Sequence, residues 1–121
     1  MSVRKQSSFR LTGDRYSLVF DANESYRSRT VVMFVRRGAD AGRRAGVVVS
    51  KKAFPHAVDR NRAKRLMREA FRLNRMRIAS DAEVVLIARG AMAGKTMQEV
   101  AGDLLYLFRK SRIALPAEAG R

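Results

Sequence analysis

The sequence predicts an α/β fold of the two-layer α+β kind, built as a single domain. Three observations carry this. Arg60 to Arg72 has helical periodicity, with one apolar stripe and one basic face. Three runs rich in β-branched and apolar residues, Thr30 to Arg36, about Arg44 to Ser50, and Asp81 to Ala88, read as strands. A capped apolar helix follows Thr96. At 121 residues the chain is long enough for one core without covalent staples.

Taken in order, Met1–Arg10 is basic, has no periodicity and reads as a mobile arm. Thr12 can cap a short helix running to about Asp21, which places Tyr16, Val19 and Phe20 on one face. Two aromatics four residues apart read first as core. Asp21 to Ser28 is polar and turn-like. In the strand Thr30 to Arg36, alternation puts Val31, Met33 and Val35 on the core face. Thr30, Val32, Phe34 and Arg36 share the other face, where ring and cation together suit a groove. Gly38 to Gly42 makes a turn, so the strand from Arg44 is expected beside it, antiparallel. Ser50-Lys51-Lys52 and a loop with Phe54, Pro55 and His56 lead to the basic helix.

On that helix Ala63, Leu66, Met67, Ala70 and Phe71 form the apolar stripe. Arg60, Lys64, Arg68, Arg72 and Arg75 form the basic face, with Asn61 and Arg65 beside them, and Asp59 is a candidate N-cap. Further on, Asp81 to Ala88 is a buried strand. Gly90 to Thr96 has the look of a phosphate-binding loop, but its glycines are one residue too close, so it reads as a plain connection. Thr96-Met97-Gln98-Glu99 is a capping box. The helix after it carries Met97, Val100, Ala101, Leu104, Leu105 and Phe108 on one stripe. Residues 114–121 read as a frayed tail.

Charge decides the broad function class. The net charge is +15, and residues 36–77 hold 14 lysines and arginines against 3 acids. A solvated helix face is the plain alternative, but three costs weigh against it. Glu69 is the only acid between Arg60 and Arg77, like charges recur at i,i+4, and cations crowd the helix N-terminus. An anionic partner removes all three costs, so the face reads as a polyanion-binding surface. Absence of cysteine excludes disulfides, thiolate catalysis and Cys-ligated metal. One histidine and scattered carboxylates provide no triad, metal cluster or acid/base pair, so no catalytic or metal-binding residue is assigned. No apolar run approaches a membrane span, and no signal peptide is present, so a cytoplasmic protein without membrane partner is expected.

The motif Arg60-Asn61-Arg62-x-Lys64-Arg65-x-x-Arg68-Glu69-x-Phe71-Arg72, preceded by Val47-Val48-Val49-Ser50-Lys51-Lys52, resembles the bacterial ribonuclease P protein component. The resemblance runs from about Leu11 to Ile113. Departures are Phe54-Pro55-His56 in a loop that often holds glycine, the small Ala63, and Tyr16 where Phe is usual. The resemblance implies the order αβββαβα, with a mixed four-stranded sheet and the basic helix in a left-handed crossover. It implies a protein subunit that binds a catalytic RNA and the 5′ leader of precursor tRNA, assisting endonucleolytic removal of that leader. Catalysis and Mg²⁺ then belong to the RNA, and the protein itself needs no nucleotide or metal cofactor. Carried onto this chain, Lys51, Lys52, Arg60, Asn61, Arg62, Lys64, Arg65 and Arg68 are the expected RNA contacts. Tyr16, Phe20 and Phe34 are the expected leader cleft. Two rivals are another RNA-binding module of similar build, such as a ribosomal protein, and an enzyme using the loop at Gly90. Leader processing with the RNA subunit separates the first, and ATP binding the second.

Overall fold

The most apolar strand lies at the middle of the sheet. In the computed structural model, which describes residues 9–116, this is β4 (Ala82–Ala88), buried along almost its whole length. The elements before it are α1 (Gly13–Asp21), β1 (Ser25–Arg27), β2 (Val31–Arg37), β3 (Arg44–Val48) and α2 (Ala57–Asn74); α3 (Met97–Lys110) follows. The order αβββαβα is the one implied by the family resemblance.

The sheet order is β1-β2-β4-β3. β1 and β4 flank β2 antiparallel, while β3 lies parallel to β4, so the sheet is mixed. This corrects the expected hairpin: β3 is not the neighbour of β2, because β4 lies between them. The physical reason lies in β4. A strand apolar on both faces gains most where both edges and both faces are covered, whereas β3 carries Arg44 and Gly46 and tolerates an edge. The chain after β2 turns away through Gly38, whose N–H donates to Asp81 O at 2.9 Å, and through Arg43, which has φ 54°. A second correction concerns β1, which lies in the stretch expected to be turn-like. Three residues are too short to show a period, and β1 exists through its pairing with β2.

Two layers cover the sheet. On one face α2 and α3 pack over Val31, Met33, Val35, Val84 and Leu86, which together form the main core. Ala63, Met67, Ala70 and Phe71 of α2 are buried there as expected, and Leu66 is half-buried. Phe71 meets Phe108 of α3 edge-on, with ring centroids 6.4 Å apart. Each such large side chain contributes about 1.5–3 kcal/mol by leaving water. Leu107, one residue off the expected stripe of α3, is buried as well. Phe54 is also buried in this core, which accounts for an aromatic where glycine is common. On the other face α1 packs through Val19 onto Val85.

Of the three expected helix caps, one forms as anticipated; Thr12 holds the N-cap position of α1, but its hydroxyl donates to Asp14 Oδ1 at 2.7 Å and caps no backbone N–H. Thr96 caps α3: its hydroxyl accepts from Glu99 N–H at 3.2 Å, and the Glu99 carboxylate accepts from Thr96 N–H at 2.9 Å. The expected cap of α2 is corrected. His56 holds the N-cap position, and Asp59 lies in the first turn, where its charge interacts favourably with the helix dipole without capping. The near-phosphate loop forms a short 3-10 turn over Gly90–Met92, and Gly94 takes φ +78°. The last two residues of the expected arm are held. Phe9 O accepts from Ala45 N–H at 2.8 Å, and Arg10 bridges Ala45. At the other end Ala114 bridges Ile78, and Leu115 N–H donates to Arg77 O at 2.7 Å. The remainder of the arm (1–8) and of the tail (117–121) lies outside the described residues.

Candidate nucleic-acid interface

The basic face of α2 divides into two groups by what each cation touches. The first group is engaged with the protein's own chain. Arg60 Nη1 donates to Phe54 O and Pro55 O, both at 2.9 Å, and so braces the loop before the helix. Arg62 Nη2 donates to Lys95 O at 2.8 Å. Arg72 pairs with Glu69 at 2.5 Å. Arg75 donates to Arg43 O at 2.8 Å and stacks over Phe9, 4.5 Å from the ring centroid. The second group has no carboxylate partner among the described residues: Lys64, Arg65 and Arg68, with Asn61. These four line one groove of about 850 Å³, whose opposite wall is Phe9 and Arg10.

The groove exists because Phe9 to Leu11 lies along the outer edge of β3, with Leu11 N–H donating to Ala45 O at 3.1 Å. Helix and arm thus stand on either side of the sheet edge. Burial and the charge of Arg10 both lower the pKa of Arg68, and the nearby Tyr16 acts in the opposite sense. Glu69 and Arg72 also line the groove but are paired with each other, so Arg10, Lys64, Arg65 and Arg68 gather there in excess of the acids; this raises the electrostatic energy of the folded chain, and an anion in the groove relieves it. Lys51 and Lys52 are not part of this groove. They occupy an exposed turn after β3, shaped by Ser50 Oγ accepting from Ala53 N–H at 3.1 Å. This turn follows the C-terminal end of β3, which runs parallel to β4.

The aromatic residues Tyr16, Phe20 and Phe34 come together on the other face of the sheet. β-Register places Ser25, Phe34, Val85 and Gly46 in one row across the strands. α1 lies over that row. Phe20 meets Phe34 edge-on at 4.9 Å and is 37% exposed. Tyr16 sits on Gly46, where a Cβ would fall well inside contact distance of the phenol ring. The next row is Arg27, Val32, Ile87 and Val48. Its three apolar members are half-buried, so they form an apolar floor beside the helix. Phe20 and Phe34 are thus partly open to solvent beside this apolar floor, at the place expected for the leader cleft.

What holds α1 over the cleft was not found in the sequence. Glu83 is fully buried in β4. Its carboxylate accepts from Arg15 Nε and Nη2, both at 3.1 Å, and forms a closer ion pair with Arg36. Asp40 accepts from Arg36 at 2.7 Å and from Arg15 at 3.1 Å. These guanidinium contacts, that of Arg36 first, hold the Asp40 carboxyl at about 2. The quartet ties α1 to β2, β4 and the turn after β2. The signal was present: a glutamate inside an otherwise apolar strand needs a cation, and Arg36 was already on that face. Gly46 gave no signal, because its role depends on which ring crosses it.

Among the described residues no three His, Asp or Glu side chains converge as metal ligands. No described helix is long and apolar enough to cross a membrane.

Comparison with known proteins agrees with this architecture. The family model described as ribonuclease P matches residues 5–112. The ribonuclease P protein component of Halalkalibacterium halodurans is 37% identical over 105 residues, covering 85% of this chain and 87% of that protein. That of Bacillus cereus is 34% identical over 113 residues, covering 92% and 94%. The solved structure of the RNase P protein from Thermotoga maritima superposes with a TM-score of 0.72 at 29% identity, covering 84% of this chain and 96% of that one. The RNase P protein of Staphylococcus aureus shares the fold, with a TM-score of 0.74 at 23% identity over 88% of this chain and 98% of that one. The chain belongs to the ribonuclease P protein family.

Proposed function

We propose that this chain is the protein subunit of ribonuclease P, the endoribonuclease that frees the mature 5′ end of tRNA. It works with a catalytic RNA subunit in the cytoplasm. The observation that carries the binding mode is the groove in which Lys64, Arg65 and Arg68 face Phe9 and Arg10, its one carboxylate, Glu69, being paired with Arg72. Its cations match the backbone of a folded RNA, and Asn61 adds a neutral donor and acceptor. Lys51, Lys52 and Arg62 extend the same charge around the C-terminal ends of β3 and β4. Arg60 contributes by bracing the loop between the two lysines and α2, while its charge stays beside them.

The leader of precursor tRNA is single-stranded and needs a different kind of site. Tyr16, Phe20 and Phe34, over the floor of Val32, Ile87 and Val48, form one on the far face of the same sheet edge. Mg²⁺ and the cut belong to the RNA.

Reconstitution with a catalytic RNA subunit and labelled precursor tRNA tests the proposal. Phe20→Leu keeps most of the apolar volume and removes the ring face. The holoenzyme carrying it should bind leader-bearing precursor more weakly, by roughly 1–3 kcal/mol for each stacked base lost. Its affinity for mature tRNA should not change. Equal losses for both ligands would return these aromatics to a purely structural role.

A further inference from the structure

A second groove opens at the far end of the row that floors the aromatic cleft. That row runs Val48, Ile87, Val32, Arg27 across the sheet, from β3 to β1. Arg27 is exposed and forms the near lip of a depression of about 630 Å³. The depression lies between the β1–β2 turn, the end of β4 and α3. Arg29, Thr30, Lys95, Asp103 and Tyr106 also line it.

Its two acids are both engaged within the protein. Asp103 accepts from the buried Thr30 hydroxyl at 2.5 Å. Glu99 is held in the capping box of Thr96, whose hydrogen bonds chiefly lower its pKa, and the nearby charges of Lys95 and Arg29 lower it further. Arg89, at the rim, donates to Ser28 O at 2.8 Å and so shapes the turn. Arg27, Arg29 and Lys95 have no carboxylate within salt-bridge distance among the described residues. Beside them Tyr106 is 43% exposed, with Lys110 Nζ 5.7 Å from its ring centroid. The groove also touches the start of the basic helix, since Lys95 O accepts from Arg62.

An excess of cations over acids beside an exposed ring meets the two requirements of a single-strand site, one for phosphates and one for a base. We propose that this groove is a second single-strand track, which takes the upstream continuation of the tRNA leader. A strand lying in the aromatic cleft and crossing Val32 arrives next at Arg27, its neighbour in the row. Its phosphates meet Arg27, Arg29 and Lys95, and one base stacks on Tyr106. The inference rests on the cleft holding the part of the leader nearest the cut.

The test uses reconstituted holoenzyme and a series of precursors whose leaders lengthen one nucleotide at a time. The variant is Arg27→Ala with Arg29→Ala and Tyr106→Leu. All three side chains are exposed, and a melting curve checks the fold; Arg27→Gln with Arg29→Gln serves where the triple variant melts early. Wild-type affinity should rise with leader length in two stages, and the variant should keep the first stage and lose the second. For long leaders the loss should be on the order of 10-fold at low salt, with a log–log salt slope smaller by about 1.4, two phosphate contacts at about 0.7 each. Unchanged long-leader affinity and slope would make the groove a solvated surface and overturn the proposal. A loss equal at every length, or weaker binding to the RNA subunit alone, would assign the groove to that subunit and also overturn it. Failure of the cleft itself looks different: wild type would then show no gain with leader length at all, and Phe20→Leu no loss.

Discussion

Glu83 shows how much one residue organises here. A carboxylate with no solvent exposure sits between two guanidiniums that are about one-fifth exposed. Removing the charge leaves Arg15 and Arg36 facing a neutral amide. Glu83→Gln should therefore lower unfolding free energy by about 2–3 kcal/mol, below the fully buried case because the partners reach water. Urea titration measures this, and a loss under about 0.5 kcal/mol would show that the quartet does not hold α1. Asp40 in the same quartet gives a pH dependence. Its carboxyl is depressed from 3.8 to about 2 in the folded state, so the unfolded chain takes up the proton first. Its contribution is present above pH 3.8 and is lost as pH falls through about 2. Asp40→Asn should flatten stability across that window, and added salt should shrink the effect because Asp40 is exposed. Gly46→Ala sets a Cβ into the Tyr16 ring and should cost about 1–3 kcal/mol, as overpacking does. It should also weaken leader binding while leaving affinity for the RNA subunit intact.

At the scale of the element, α2 has two working faces and a divided set of cations. Lys64, Arg65 and Arg68 are the unpaired ones. Replacing all three with Ala should flatten the log–log salt dependence of RNA binding by about 2–3 units. The helix should survive, because Ala63, Met67, Ala70 and Phe71 remain in the core and like-charge repulsion is relieved. A wild-type salt slope in the triple variant would remove this face from the interface. Arg60 predicts a different outcome. It donates to two loop carbonyls, so Arg60→Ala should lower the melting temperature as well as RNA affinity, with a stability cost of about 1.5–3 kcal/mol. Thermal melts with and without RNA separate the two effects.

At the scale of the whole molecule, the sheet works as a partition. α2 and α3 build the core on one face, α1 builds an aromatic cleft on the other, and the edge of β3 carries a basic groove between them. Under the proposed function these surfaces bind RNA and the catalytic RNA makes the cut. The purified chain with Mg²⁺ and precursor tRNA should give no cut at the mature 5′ end. Addition of the RNA subunit should restore it. Site-specific cleavage that survives rigorous removal of contaminating RNA would refute this division of labour.

The sequence by itself determined the parts that depend on local order. Periodicity located α2 and its stripe, Thr96 and Glu99 announced the start of α3, and alternation set Val31, Met33 and Val35 against the core. Spacing of like charges named the basic face, because repulsion at i,i+4 is a property of the helix alone. Tertiary structure decided everything that depends on which strand lies beside which. Alternation is the same in a parallel and an antiparallel pair, so nothing local told β3 to pair with β4 instead of β2. For the same reason β1 was illegible, being three residues that become a strand only against β2. Which cations are unpaired was equally hidden, since Arg60, Arg62 and Arg75 spend their donors on carbonyls distant in the chain or across a loop. The need for glycine at 46 and for a buried glutamate at 83 arises from α1 crossing the sheet above them, a contact between segments far apart in sequence.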